Sequence, residues 1–447
     1  MPPKKAPPSL PISAFSPTTP NSHHSSTPRR NTPLITIDAH VAFPLNRSSD
    51  HFPQLWNQSV SSLKESLKDL GSPINTEHEK SDPFRGFIYV HPQPLVSSSP
   101  STSSKIHDQQ QVGNQFGDKE LISLENLDQI KNHLDSIEIC PALAEVIWAP
   151  LTEGPEKLKK YLNQIRNQFK KDNKRKLIGC TYSIQSPSTV SRTSLINDHL
   201  IGSLRLLGDE GLSVEFLVEG NPDRSASNVL EEILECVAKV RDGQSAGKET
   251  KFLLCEMGKP EMISSHSLVP SSASYSSILS HLFSLSLFSN LSIKLSGLPL
   301  LIAPDLLSHA CAYYTQYKRP YQQGRGYAVA LQASNEDEPS IQADAIVEEN
   351  SDRSEGEIAW RELKKRMKFY LEPILEAFGD HRIMYSSDFP AFGTLFGTDE
   401  NTKVESWQAN YYECQFEFYR ECLSELGLED EALDNVFGLN AREWYGL

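Results

Sequence analysis

The chain has 447 residues, 43 Lys and Arg against 58 Asp and Glu, and a formal net charge of −15. That length suits one large domain with insertions or two domains, and the acidic balance argues against a general nucleic-acid binder, which needs a basic face for phosphates. No apolar run approaches the ~18–20 residues that span a bilayer, and the first residues lack the apolar core of a secretory signal. The seven cysteines are scattered, with no CxxC pair, which reads as reduced, buried thiols in a cytoplasmic protein rather than a zinc ribbon or a disulfide framework.

Residues 1–33 are rich in Pro, Ser and Thr, with four basic residues and no acid. Such a segment cannot bury enough apolar surface to offset its ordering entropy, so it is expected to be a disordered arm. Leu34-Ile35-Thr36-Ile37-Asp38-Ala39-His40 is the first expected strand, and a helix with apolar residues at roughly helical spacing follows over 53–70. The second strand covers 86–91 and is stopped by Pro92; the polar stretch 95–118 reads as an insertion. A helix near 119–137 leads to the third strand, Glu145-Val146-Ile147-Trp148-Ala149. Further strands are expected at 177–182, 214–218, 251–255 and 291–295, each after a helical segment. Residues 332–357 hold nine acids and one arginine, a solvated insertion. A helix at about 358–378 delivers the chain to the eighth strand, which ends in Ser386-Ser387-Asp388-Phe389-Pro390. A long helix near 403–426 and a C-terminal helix close the chain.

Short apolar strands alternating with helices predict a parallel α/β fold. A count of eight favours a single closed (β/α)8 TIM barrel over 34–447. No GxGxxG or GxxxxGK[ST] follows a strand, so neither a Rossmann fold nor a P-loop is supported. In such a barrel the C-terminal strand ends carry the chemistry, which singles out Asp388 and His40.

Five stretches, in chain order, match patterns known from one family of barrels. Ile37-Asp38-Ala39-His40 resembles an opening I-D-x-H-x-H, and Cys255-Glu256-Met257-Gly258-Lys259-Pro260 a sixth-strand D-H-x-G-K-P. Ile293-Lys294-Leu295-Ser296-Gly297-Leu298 resembles V-K-L-S-G-L, and 382–390 resembles R-I-M-F-G-S-D-W-P. Phe437-Gly438-Leu439-Asn440-Ala441-Arg442-Glu443-Trp444-Tyr445-Gly446 resembles the closing F-G-x-N-A-x-x-F-Y-G. Together they resemble the amidohydrolase-related (amidohydrolase-2) barrels, and within them the branch of L-fucono- and L-rhamnono-lactonases. The resemblance implies a hydrolase acting at a lactone or related carbonyl, with the eighth-strand Asp388 as general base and strand-end histidines binding metal or polarising the carbonyl. It also has gaps. Ala42 stands where a second His is expected, Cys255-Glu256 replace Asp-His, and Cys180-Thr181-Tyr182 replace a fourth-strand segment that carries Arg and His.

These residues define the expected site. Asp388, His40, Tyr182 and Lys294 are the candidate catalytic residues, with Lys294, Tyr182 and Glu256 available to stabilise an oxyanion. His91, Glu256 and Trp148 are candidates for binding a small-molecule substrate, His91 being equally readable as a loop residue before Pro92. No cofactor is predicted; His40, Glu256 and Asp388 are weak candidates for a single divalent metal, zinc or manganese. Strand alternation is expected to turn Cys255 away from whatever Glu256 faces, removing the sulfur ligand zinc favours. The rival expectation is a catalytically impaired barrel that serves as a binding or scaffold protein, with its polar arms as candidate protein-interaction elements.

Overall fold

Eight strands of a computed structural model pair in parallel and in chain order, each with its neighbour. The structure describes residues 35–42, 52–69, 84–91, 124–169, 175–184, 196–218, 226–259, 272–297, 302, 304–318, 343–389 and 411–447. The expected arm at 1–33, the insertion at 95–118 and residues 332–342 lie outside them.

The strands are β1 (Thr36–Val41), β2 (Phe84–Val90), β3 (Ala142–Trp148), β4 (Lys176–Ile184), β5 (Ser213–Val218), β6 (Phe252–Leu254), β7 (Leu291–Leu295) and β8 (Ile383–Tyr385). The ring closes beyond β8, where Asp388 N–H donates to His40 O at 3.0 Å and Ala42 N–H to Phe389 O at 3.1 Å. A parallel bridge pairs Val41 with Phe389. The result is the expected single (β/α)8 barrel.

The connecting helices are α1 (Phe52–Asp69), α2 (Leu124–Asp135), α3 (Pro155–Phe169), α4 (Asp198–Asp209), α5 (Ala226–Arg241), α6 (Ser272–Ser286), α7 (Pro304–Tyr313) and α8 (Ala343–Phe378). After β8 come α9 (Tyr411–Glu425), α10 (Asp430–Asp434) and α11 (Asn440–Tyr445). Their inner faces follow the 3.6-residue period: Trp56, Val60 and Leu63 of α1, and Leu158, Tyr161, Leu162 and Ile165 of α3, are all buried. Pro155 opens α3, where its missing N–H costs no bond. Asn197 caps α4 by accepting Leu200 N–H at 2.8 Å. The helix before β8 begins at Ala343, so 343–357, expected as part of an acidic insertion, are its first turns. None of the described helices is long and apolar enough to cross a membrane.

Among the described residues, the buried apolar side chains form two clusters. The larger lies between strands and helices. The smaller is the barrel interior, with Ile37, Ala39, Ile88, Val90, Ala144, Val146, Leu253 and Met384 on inward strand positions. The inward pattern is not a simple alternation along whole strands. The β1–β2 register shifts between Asp38 and Val41, and the β3–β4 register shifts at Ile178. A bulge of this kind re-aims every side chain that follows it.

The C-terminal helix plugs the end of the barrel where the strands begin. Lys251 Nζ donates to Trp444 O at 2.9 Å, and Ala441 and Tyr445 pack with the interior cluster. Gly438 makes this approach possible, since a Cβ there would fall 2.4 Å from Ile35 O. The motif that resembled a family ending is therefore a packing device for the barrel floor.

Candidate active site

A polar cluster crosses the interior from β1 to β8. Glu215, near the middle of β5, is wholly buried. Its Oε1 accepts from Lys294 Nζ and from Tyr445 OH, both at 2.6 Å. Lys294 Nζ, also wholly buried, donates to Ala39 O at 2.6 Å. Strands β1, β5 and β7 and the floor helix α11 thus meet on one ion pair.

His40 lies above this pair. Its Nδ1 is 3.7 Å from Glu215 Oε2, and its Nε2 is 3.7 Å from Asp388 Oδ1. Both separations are too long for hydrogen bonds. Burial and the nearby Lys294 ammonium hold the His40 pKa well below the usual imidazole range. A neutral ring makes no salt bridge, so these are dipolar contacts between an uncharged imidazole and two carboxyl groups.

The backbone around Asp388 is fixed by strain and hydrogen bonds. Asp388 has φ +53°, the left-handed region that a side chain disfavours, and its Oδ2 accepts the Gly297 N–H. Asp38 fastens the two strand ends from behind: its Oδ1 accepts His40 N–H at 3.1 Å and Ser387 N–H at 3.0 Å. Burial pushes the Asp38 pKa up to about 6, against the pull of these donors. Burial, with Glu256 next in weight, raises Asp388 well above the usual carboxylate range.

At the end of β6 the chain leaves the strand at once. Cys255–Gly258 form a tight turn in which Glu256 and Met257 have φ +53° and +54°, and Lys259 follows at +55°. Non-glycine residues held there cost on the order of 1–3 kcal/mol each and cluster at functional sites. The turn corrects the expectation of alternation. Cys255 Sγ lies 3.9 Å from Glu215 Oε2 inside the barrel, while Glu256 N–H donates to Ser296 Oγ at 2.8 Å and its carboxylate acts on Asp388. Cys255 keeps the inward side it shares with Leu253, and the left-handed residues that follow turn Glu256 toward Asp388 in place of the opposite face. Gly297, at φ +77°, is required in the facing turn, since a Cβ there would lie 2.7 Å from Glu256 Cγ.

No protein-family model matches the chain, and no curated protein matches it by sequence. Among solved structures the chain is similar to an amidohydrolase from Burkholderia multivorans with bound zinc, at 15% identity and a TM-score of 0.48, over 92% of this chain and 99% of that one. It is also similar to amidohydrolase 2 from Bifidobacterium longum subsp. infantis, at 14% identity and a TM-score of 0.40, over 93% and 99%. A third similar structure is a 2,6-dihydroxybenzoate decarboxylase from Rhizobium, at 12% identity and a TM-score of 0.39, over 93% and 99%. Likeness at this level assigns no chemistry.

The expected residues divide accordingly. Asp388, His40, Lys294 and Glu256 come together at the mouth and in the interior. Glu256 lies 3.5 Å from Lys259 Nζ, the pairing that its position in a Glu-Met-Gly-Lys turn suggests. Tyr182 packs instead against the helix-side cluster, beside Cys236 of α5. The β4 bulge accounts for this, turning Thr181 where Tyr182 would have pointed. His91 is buried against Glu145 on β3, Nε2 to Oε2 at 2.7 Å, and Glu145 also accepts from Arg175 Nε at 2.7 Å. Burial would raise Glu145, but His91 and Arg175 bring its pKa below the usual range. Trp148 packs against the same outer cluster as Tyr182. Glu215 and Tyr445 were not anticipated, Asp38 stood only in the opening motif without a role, and Cys255 was expected to face away. A lone carboxylate inside the apolar run 214–218 was the available signal for Glu215.

Among the described residues, one group of side chains could hold a metal. His40 Nδ1 is buried without a hydrogen-bond partner, and it converges with Glu215 Oε2 and Cys255 Sγ, all within 4.8 Å of one another. Zinc takes N, O and S ligands at about 2.0–2.3 Å, which puts neighbouring ligand atoms roughly 3.3–3.5 Å apart in a tetrahedron. The separations from Glu215 Oε2 are 3.7 Å to His40 and 3.9 Å to Cys255, and the remaining one lies within 4.8 Å, so ligation requires His40 and Cys255 to draw together around the ion. The set is suited to a single ion; Ala42 and Tyr182 offer no ligand for a second.

Proposed function

We propose that the barrel mouth is a hydrolytic site for a small cyclic ester, a lactone, with Asp388 as general base. The observation that supports this most is the placement of Asp388. A carboxyl with a raised pKa is fixed by Gly297 N–H in a strained turn, within 3.7 Å of a neutral, buried imidazole. A base whose pKa is lifted toward the working pH removes a proton from water more effectively than an ordinary carboxylate. The lactone itself comes from the resemblance of the strand-end motifs.

The chemistry follows from these groups. Water adds to the lactone carbonyl as Asp388 takes its proton. The carbonyl oxygen becomes an oxyanion facing His40, whose neutral ring can present an N–H without carrying a competing charge. Collapse of the tetrahedral intermediate breaks the ring C–O bond, and the proton held by Asp388 goes to the departing alkoxide. Lys294 and Glu215 offset each other in charge, with Tyr445 fixing the pair, and the ammonium helps keep His40 neutral. Where a divalent ion is bound, His40, Glu215 and Cys255 would hold it, and it would polarise a carbonyl or acidify a water. Glu256 tunes Asp388, and His91, Tyr182 and Trp148 shape the shell behind the strands.

A second reading has its own support. Lys294 already neutralises Glu215, with Tyr445 completing the shell, so the cluster is also a self-sufficient core for a non-catalytic binding barrel. A pH-indicator screen of sugar lactones separates the two. Turnover by the wild-type chain that Asp388→Asn abolishes is expected, since an amide cannot accept the proton. No turnover of any lactone or ester would favour the binding barrel.

A further inference from the structure

Two thiols outside the site face each other. Cys311 of α7 and Cys414 of α9 are 103 residues apart in sequence, and their Sγ atoms are 3.0 Å apart in the core. Both are buried, at 0% and 2% exposure. A disulfide needs about 2.05 Å between sulfurs, so closing the pair takes a movement of about one ångström, within reach of side-chain rotation.

Neighbouring contacts hold the two helices at this spacing. Tyr314, three residues beyond Cys311, donates its hydroxyl to Oε1 of Glu413, the residue before Cys414, at 3.1 Å. Ser62 of α1 donates to the other oxygen of Glu413 at 2.8 Å. Trp360 of α8 stacks on Tyr314 and meets Phe418 of α9 edge to face. The two cysteines therefore meet in a well-packed seam whose elements are fixed by independent bonds.

We propose that Cys311 and Cys414 form an intramolecular disulfide that clamps α7 to α9 when the protein meets a two-electron oxidant such as a peroxide. The peroxide oxidises one Sγ to a sulfenic acid and releases one water. The other Sγ attacks that sulfur, forming the S–S bond and expelling a second water. Two thiols thus lose two electrons and two protons, and one hydrogen peroxide becomes two waters. Burial and the adjoining thiol raise the Cys414 pKa, so attack as thiolate is slow near neutrality and quickens at higher pH. That suits a durable clamp better than a fast sensor. The clamp bears on the site, because α9 also supplies Tyr412 and Phe416, which pack against Phe389 and Tyr385 on either side of Asp388.

The test uses the full chain. Protein treated with hydrogen peroxide is denatured in excess N-ethylmaleimide and weighed intact, then digested without reductant. The expected result is five labelled cysteines where the reduced chain shows seven, and one linked peptide pair containing Cys311 and Cys414. Cys311→Ser and Cys414→Ser should each restrict labelling loss to other chemistry and yield no linked pair. The oxidised wild type should melt roughly 5 °C higher than the reduced one, reversed by dithiothreitol, as closing a loop of about 100 residues implies. Seven labelled cysteines after oxidation, a link between other cysteines, or sulfinic acid at either position in place of the link would overturn the proposal.

Discussion

Single residues at the mouth are set by burial more than by their immediate partners. Asp388 is raised first by desolvation and next by Glu256, against the Gly297 N–H and Lys294. If Asp388 is the base, kcat/KM rises with pH along a limb lying well above the ordinary carboxylate range. Removing the Glu256 charge takes away a raising influence, so Glu256→Gln should shift that limb to lower pH. A limb that stays in place in the Gln variant would show that another group controls it. Asp38 offers a test on stability. Its proton is bound more tightly in the folded chain, at a pKa of about 6, than at the ordinary value of 3.8. The stabilisation is therefore fully present below about pH 4 and lost as pH rises through about 6. At about 1.4 kcal/mol per pKa unit, the loss is roughly 3 kcal/mol. Asp38→Asn still accepts the two backbone N–H groups but does not titrate. Urea unfolding at several pH values should show the difference between variant and wild type changing by about that amount between pH 4 and 7, in favour of the variant at the higher pH. A difference independent of pH would contradict it.

At the scale of elements, the interior is tied by the Lys294–Glu215 pair, which joins β7 to β5 and, through Tyr445, to the floor helix. Truncating one partner strands the other charge where water cannot reach it. Lys294→Met is expected to destabilise the barrel by about 3–5 kcal/mol, read from the urea midpoint, and the double variant Lys294→Met/Glu215→Gln should recover part of the loss. Equal loss in the single and double variants would mean that the pair contributes packing and little else. This network also marks where sequence reasoning stopped. The strands were legible because each is an apolar run ended by Pro, Gly or a polar residue, and the helices because Val60, Leu63 and Leu67, or Val229, Ile233 and Val237, repeat at helical spacing. Asp388 and His40 were legible as polar ends of such runs. Facing was not. Bulges in β1 and β4 and the left-handed turn after β6 shift the pleat by one residue. That shift moves Tyr182 to the helix side and turns Glu256 toward Asp388, while Cys255 keeps the inward side it shares with Leu253, and no local pattern announces it. His91 pairs with Glu145 through a contact spanning 54 residues, a distance that single-sequence periodicity does not register.

At the scale of the whole molecule, the inward side chains of His40, Glu215 and Cys255 make a candidate cation site whose occupation would couple to global stability. His40, Glu215 and Cys255 come from β1, β5 and β6, so an ion held by all three bridges one side of the barrel to the other and is lost on unfolding. Lys294 already occupies Oε1 of Glu215, which leaves Oε2 for the ion and tempers its affinity by charge repulsion. Binding to the folded chain at about 100 times the dissociation constant adds about 2.7 kcal/mol of stability. Zinc titrated into metal-free protein should therefore bind one ion per chain and raise the melting temperature, and a chelator should reverse the rise. Cobalt in its place should show thiolate-to-metal absorbance that Cys255→Ser removes, while His40→Ala should weaken binding of either ion. Because these readouts do not depend on turnover, they test the donor set even for a barrel that hydrolyses nothing. Zinc that leaves the melting temperature unchanged, or cobalt absorbance that survives in Cys255→Ser, would show that the three side chains converge for packing alone, with the Lys294 ammonium as the partner of Glu215.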